Sequence, residues 1–158
     1  DGYQQVVLRI VPGSNPLRVV NPPGQRTPAI ITSNGRAMLA RLSDQEIRAR
    51  VPLDYPKVPA NSPQNFTELM ARLNEIRRSG ISDAADEAIE GVGSQGFALA
   101  SGDSGELIGI AISYSVQATT ELERANVRRE LGAMAAKLRR MTGDPLSQTI
   151  EQLTGLAS

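Results

Sequence analysis

In the stretch Glu106-Leu107-Ile108-Gly109-Ile110-Ala111-Ile112-Ser113-Tyr114-Ser115-Val116, bulky and small residues alternate from Ile108 to Ser115. Successive side chains of a strand point to opposite faces. Ile108, Ile110, Ile112 and Tyr114 therefore form one bulky face. Gly109, Ala111, Ser113 and Ser115 form the other, all small and two of them hydroxylated. Just upstream, Val92–Ala100 offers a matching row of Ser94, Gly96, Ala98 and Ala100. Ser101-Gly102-Asp103-Ser104-Gly105 joins the two as a hairpin loop. A sheet face of small residues has two readings. It is the floor of a pocket whose hydroxyls meet a polar ligand, or the seat of a closely packed helix.

Working outward, a long helix is expected from Thr119 to Met141, with Val127, Leu131, Met134, Leu138 and Met141 on one stripe. Asp144-Pro145 is expected to open a last short helix carrying Leu146, Ile150 and Leu153. Before the hairpin, Phe66, Leu69, Met70, Leu73 and Ile76 recur at helical spacing, Pro63 suits a first helical position, and Gly80 stops the helix. Ser43 with Glu46 reads as a capping box, and a further helix starts near Asn34. At the beginning, Tyr3–Val11 reads as a strand with Val6, Leu8 and Ile10 on one face, paired in a hairpin with Leu17–Asn21. Pro22–Pro28 is expected to be a loop, Ala29–Ile31 a short extended segment, and Pro52–Ser62 a proline-rich connection. Strands mostly in hairpins, with helices between, give an α+β class with an antiparallel sheet flanked by helices. No repeat or linker interrupts the chain, so residues 1–158 are read as one domain.

Composition narrows the chemistry. Apolar residues make up 40% and charged residues 22%, a globular profile, while aromatics at 3% leave an aliphatic core. Seventeen basic residues balance seventeen acidic ones, without the basic excess of a nucleic-acid binder. The arginine pairs 77–78, 128–129 and 139–140 are read as solvated helix faces. Histidine and cysteine are absent, which excludes imidazole catalysis, thiol chemistry and Cys/His zinc sites. No apolar run reaches membrane-spanning length. No cofactor or metal is expected, and no nucleophile–base pair marks an enzyme. The chain begins at Asp1 rather than Met, as expected of a piece of a longer protein.

Two further segments bear on binding. Thr32-Ser33-Asn34-Gly35 precedes a helix, whose first turn presents backbone N–H groups and favours a carboxylate. The plainer reading is an N-cap by Ser33 or Asn34. Asp83-Ala84-Ala85-Asp86-Glu87 reads as a solvated acidic loop, or as a metal or acid/base site.

Four segments in order resemble the effector domain of isocitrate-lyase-regulator (IclR) type bacterial transcription regulators. They are Thr27-Pro28-Ala29-Ile30-Ile31-Thr32-Ser33-Asn34-Gly35-Arg36-Ala37-Met38-Leu39-Ala40, Leu73-Asn74-Glu75-Ile76-Arg77-Arg78-Ser79-Gly80, Glu87 to Val92, and Gly109-Ile110-Ala111-Ile112-Ser113-Tyr114-Ser115. The resemblance spans about Gln5 to Met141. It implies a GAF-like fold, a pocket for a small organic acid or related metabolite, and homodimers or tetramers in the cytoplasm. It also implies DNA binding only through an N-terminal winged helix-turn-helix domain outside these residues. By position it implies ligand contacts from Ser33, Asn34, Gly35, Ser94, Ser113 and Ser115, with Val19, Thr27 and Val92 as apolar walls. The chain departs from the family at Ser82–Ala88, where the usual ligand-binding Asp aligns with Ala84 and Asp83 and Asp86 lie nearby. The alternative function is an oligomerisation domain with no ligand of its own.

Overall fold

In the computed structural model the predicted hairpin is the centre of the molecule; the structure describes residues 2–13, 21–52, 57–101 and 104–146. The elements in chain order are β1 (Gln4–Val6), β2 (Arg26–Pro28), a 3-10 turn (Ala29–Ile31), α1 (Ser33–Leu39), α2 (Asp44–Arg50), α3 (Phe66–Ser79), β3 (Ser82–Ala85), β4 (Val92–Ala100), β5 (Leu107–Ser115) and α4 (Glu121–Thr142). This is the α+β architecture expected. β4 and β5 pair antiparallel from Val92 opposite Ser115 to Ala100 opposite Leu107. β3 pairs antiparallel along the other side of β4, giving the order β3-β4-β5.

Cross-strand partners share a face. The register sets Ser94 opposite Ser113, Gly96 opposite Ala111 and Ala98 opposite Gly109, which builds one small face. On the other face Phe97, Leu99 and Ile110 meet Val127, Leu131, Ala135 and Leu138 of α4. The small face meets α1, and behind α1 lies the larger core of Ile30, Leu39, Ile47, Leu69, Leu73 and Ile76, contributed by the 3-10 turn and three helices. Burial of such aliphatic side chains stabilises by about 1.5–3 kcal/mol each.

The helix ends follow local chemistry. Ser43 and Glu46 form the expected capping box, and Thr120 with Glu123 forms a second one at the start of α4. Gly80 ends α3 in the left-handed region at φ 76°. The start of α3 differs from expectation: Asn65, not Pro63, sets it, its side chain accepting from the Glu68 N–H at 2.9 Å. The N-cap of α1 is Thr32 rather than Ser33 or Asn34. Among the described residues no helix is long and apolar enough to cross a membrane.

The amino-terminal expectations need the most correction. β1 is only three residues long, and its buried residue is Gln5, whereas Val6, Leu8 and Ile10 are exposed. Its partner is β2, inside the stretch expected to be a loop. That strand forms because Pro28 is its last residue, where a missing N–H falls at the end of the ladder. Gln5 turns inward because its Oε1 accepts from the Thr32 hydroxyl at 3.0 Å. Ala29–Ile31 is a 3-10 turn, not an extended segment. Residues 14–20, expected to hold most of the second strand, lie outside the described residues, as do residues 147–158, where most of the last short helix is expected. The acidic stretch is not a solvated loop: Ser82–Ala85 is an edge strand and Glu87 is buried. Nor are all arginine pairs solvated, since Arg139 is buried.

Candidate functional site

α1 lies directly on the small face. Thr32 caps the helix, its Oγ1 accepting from the Gly35 N–H at 3.2 Å. That leaves the neighbouring Ser33 side chain free of capping duty, and its hydroxyl donates to Ser94 Oγ on β4 at 2.8 Å. Asn34 covers the end of the hairpin: a Cβ on Gly109 would sit 2.8 Å from Asn34 Cβ. Gly35 is fixed by the same close approach, because a Cβ there would run into the Ala29 carbonyl.

α1 covers the small face unevenly. Around Ala98 and Gly109 the face is the seat of the helix. Toward Ser94, where Ser33 is the α1 residue that reaches the sheet, Ala111 and Ser113 are exposed beside the half-buried Ser94. Ser33, Ser94 and Ser113 are therefore brought together, with Gly35 buried behind Ser33, whereas Asn34 sits over Gly109, four residues along β5 from Ser113. Val92 is half-buried at the start of β4, opposite Ser115. The Ser115 hydroxyl accepts from the Ala118 N–H at 3.3 Å and so serves the turn after β5. Thr27 is half-buried on β2. Val19 lies outside the described residues.

The two acids stand apart from this group. Asp83 is paired with Gln95 in register, one residue out of phase with Ser94, so it belongs to the α4 face. There it forms an ion pair with Arg128. Asp86 adopts φ 54°, unusual for a residue with a side chain, and accepts from the Gly91 N–H at 2.7 Å. It shapes the turn into β4. Among the described residues no cluster of acids is placed to hold a metal ion.

Arg36, Arg72 and Arg124, which the sequence did not flag, lie near Glu87 and Tyr114 beside the site. Arg36 of α1 is fully buried, and its Nη1 and Nη2 donate to Glu87 at 2.5 and 2.8 Å. Nη1 also donates to the Ile30 carbonyl at 2.9 Å, and Nη2 to that of Asp83. Arg72 of α3 reaches the same carboxylate at 3.4 Å. The Gly-Arg-Ala run and the Glu that precedes Gly91-Val92 were visible in the sequence, but nothing in it joined residues 51 positions apart. On the other face Tyr114 lies under Arg124, 5.7 Å from ring centroid to guanidinium carbon. Burial, and then Asp83, push the Tyr114 hydroxyl above its usual pKa, with Arg124 opposing.

With this geometry in view, the chain was compared with known proteins. The family model described as bacterial transcriptional regulator IclR C-terminal matches residues 1–140. This chain belongs to the IclR C-terminal family. Within the family it is 35% identical over 91 residues to the HTH-type transcriptional regulator TtgV of Pseudomonas putida, covering 58% of this chain and 35% of that protein. The structure of the Thermotoga maritima IclR aligns with a TM-score of 0.79 at 23% identity, over 90% of this chain and 58% of the other. The inducer-binding domain of PobR from Acinetobacter, a double mutant in complex with 3-hydroxybenzoic acid, aligns with a TM-score of 0.72 at 20% identity. It covers 88% of this chain and 83% of that one. These likenesses establish the GAF-like fold of IclR C-terminal domains. The chain spans about a third of the length of its curated relative in Pseudomonas putida.

Proposed function

We propose that this IclR C-terminal domain senses a small organic acid and controls DNA binding by a longer regulator. A separate helix-turn-helix domain makes the DNA contacts, as the HTH-type name of the curated relative suggests. The domain acts without catalysis, in the cytoplasm, as a homodimer or tetramer. The observation that carries the reading is the open end of the small face: Ser113 is exposed directly opposite Ser94, whose hydroxyl is already held by Ser33. Hydroxyls offer donors to an anionic acceptor without a competing formal charge. Ala111 and Gly96 beside them leave room for a carbon skeleton. The PobR domain, which shares the fold, is described with a bound hydroxybenzoic acid. Ser33, Asn34, Ser94 and Ser113 would contact the acid, with Ser115, Thr27, Val92 and Val19 around it.

A thermal-shift screen of carboxylic acids tests this, because a ligand specific for the folded state raises the melting temperature. Ser113→Ala removes one donor and is expected to weaken a hit about ten-fold to a hundred-fold. Ser113→Leu fills the space and should abolish binding. Acids that bind the Ser113→Leu variant as tightly as the parent would place the site elsewhere. The second reading, an oligomerisation module without a ligand, draws on Ile108, Ile112 and Met134, which are exposed at 48%, 41% and 45% on the α4 side. Sedimentation of the parent and of an Ile112→Lys variant separates the two readings.

A further inference from the structure

Two clefts open along β3, away from the Ser94–Ser113 row. The larger, about 420 Å³, is lined by Arg36, Arg72, Ile76, Ile81, Asp83 and Arg128. The smaller, about 310 Å³, is lined among others by Arg72, Asp83, Ala85, Gln95, Tyr114 and Arg124. Because Arg72 and Asp83 belong to both, the clefts form one trough around them.

Charge and hydrogen bonding in this trough are unevenly matched. Four arginines, 36, 72, 124 and 128, face three carboxylates, Glu75, Asp83 and Glu87. Arg36 already takes both oxygens of Glu87, at 2.5 and 2.8 Å, so Arg72 is left with a 3.4 Å contact to that acid. Among the described residues its other bond is from Nη2 to the Asn61 carbonyl at 2.8 Å. A guanidinium carries five N–H donors in a fork that matches a carboxylate, and Arg72 is half-exposed with most of them unspent. Gln95 supplies the second sign. The residue lines the trough and is 5% exposed, yet its Oε1 accepts from no donor among the described residues. Buried amides nearly always have a partner, and the last torsion of a glutamine is soft enough to turn the oxygen toward a ligand.

We propose that this trough is a second small-molecule site, for a carboxylic acid that also bears a hydrogen-bond donor: a hydroxy acid or an amino acid. The carboxylate sits on Arg72, beside Arg128, which already pairs with Asp83; the donor meets Gln95, and Ile76, Ile81 and the Tyr114 ring border the skeleton. The trough runs along the β3 edge, and its Asp83, Gln95 and Tyr114 project from the face opposite the serines.

Titration calorimetry with matched pairs tests it: L-malate and succinate, lactate and propionate, 3-hydroxybenzoate and benzoate. In the parent chain the hydroxylated member of at least one pair should bind more tightly. Arg72→Gln, a change at a half-exposed side chain, should weaken both members of that pair about tenfold or more. Gln95→Leu should remove the advantage of the hydroxylated member and leave its partner unchanged; Gln95→Met serves if the leucine variant does not fold. Ser113→Leu should leave the binding intact. The proposal is overturned if no pair member binds the parent, if Arg72→Gln binds as the parent does, or if only Ser113→Leu abolishes binding. That last result would support the serine face instead.

Discussion

α1 and α4 cover opposite faces of the same hairpin by different means. α1 has seven residues and buries five, whereas α4 has 22 and buries three. The short helix sinks in because Ala98 and Gly109 put almost nothing in its way. The long one rides on Phe97, Leu99 and Ile110 and keeps most of its surface in water. The short helix is also fixed by polar bonds: Arg36 to Glu87, Ser33 to Ser94, and the Thr32 cap. One face is therefore held by close approach and charge, the other by aliphatic area. The first is sensitive to a single atom, and the second tolerates change along much of its length.

The comparison is sharpest at Glu87. Its removal strands the fully buried Arg36 guanidinium, so Glu87→Ala should cost about 3–5 kcal/mol of stability, read as a shift in the urea midpoint. On the other face Leu131→Ala should cost about 3 kcal/mol from burial and cavity terms together; Leu131 is 1% exposed. If that change costs more than Glu87→Ala, the polar face is not the more sensitive one.

Asp144 joins the end of α4 to both other layers. It accepts from Arg41 at 2.6 Å, from the Ala100 N–H at 2.8 Å and from the Leu146 N–H at 2.9 Å. Burial alone would raise its pKa, but the Arg41 bond and the two backbone donors outweigh it and hold the pKa below the usual carboxylate value. The depressed pKa contributes stability that is complete above the unfolded value of about 3.9 and is lost as pH falls through the folded value. Asp144→Asn should cost about 1.5–3 kcal/mol at pH 6. The variant should also lose less stability than the parent between pH 6 and pH 3, as urea unfolding at the two pH values would measure.

Smaller effects follow where the close approach is merely tightened. Gly109→Ala would place a Cβ 2.8 Å from Asn34 Cβ and 3.0 Å from its carbonyl oxygen, and overpacking of this kind costs about 1–3 kcal/mol. Met134, 45% exposed on α4, should accept Gln within about 0.5 kcal/mol by thermal melting. Equal effects at these two positions would erase the contrast between the faces.

The regions legible in the sequence are those whose pattern is long and local. Eight residues of strict alternation, Ile108–Ser115, place β5, the small row of Ser94, Gly96, Ala98 and Ala100 places β4 opposite it, and the stripe of Leu69, Leu73 and Ile76 places α3. The stripe on α4 was only half right: Val127, Leu131 and Leu138 pack inward, while Met134 and Met141 stay exposed. What escaped was short or non-local. β3 has four residues, two of them polar, and owes its existence to the edge of β4. Val6, Leu8 and Ile10 alternate as a strand should, yet the bond from Thr32 decides that Gln5 faces inward. At the candidate site the small face and its serines were readable. The buried Arg36–Glu87 pair was not, since a charged side chain shows its partner only after folding.

The bond between Arg41 and Asp144 spans 103 positions of chain, and that from Asp144 to Ala100 spans 44. Hairpin contacts between β4 and β5 close over far shorter loops, so they form while the two ends of the domain are still apart. The Asp144 junction is then among the last contacts made during folding and among the first broken during unfolding. Asp144→Asn is therefore expected to speed unfolding more than it slows folding, which the two arms of a urea chevron would measure.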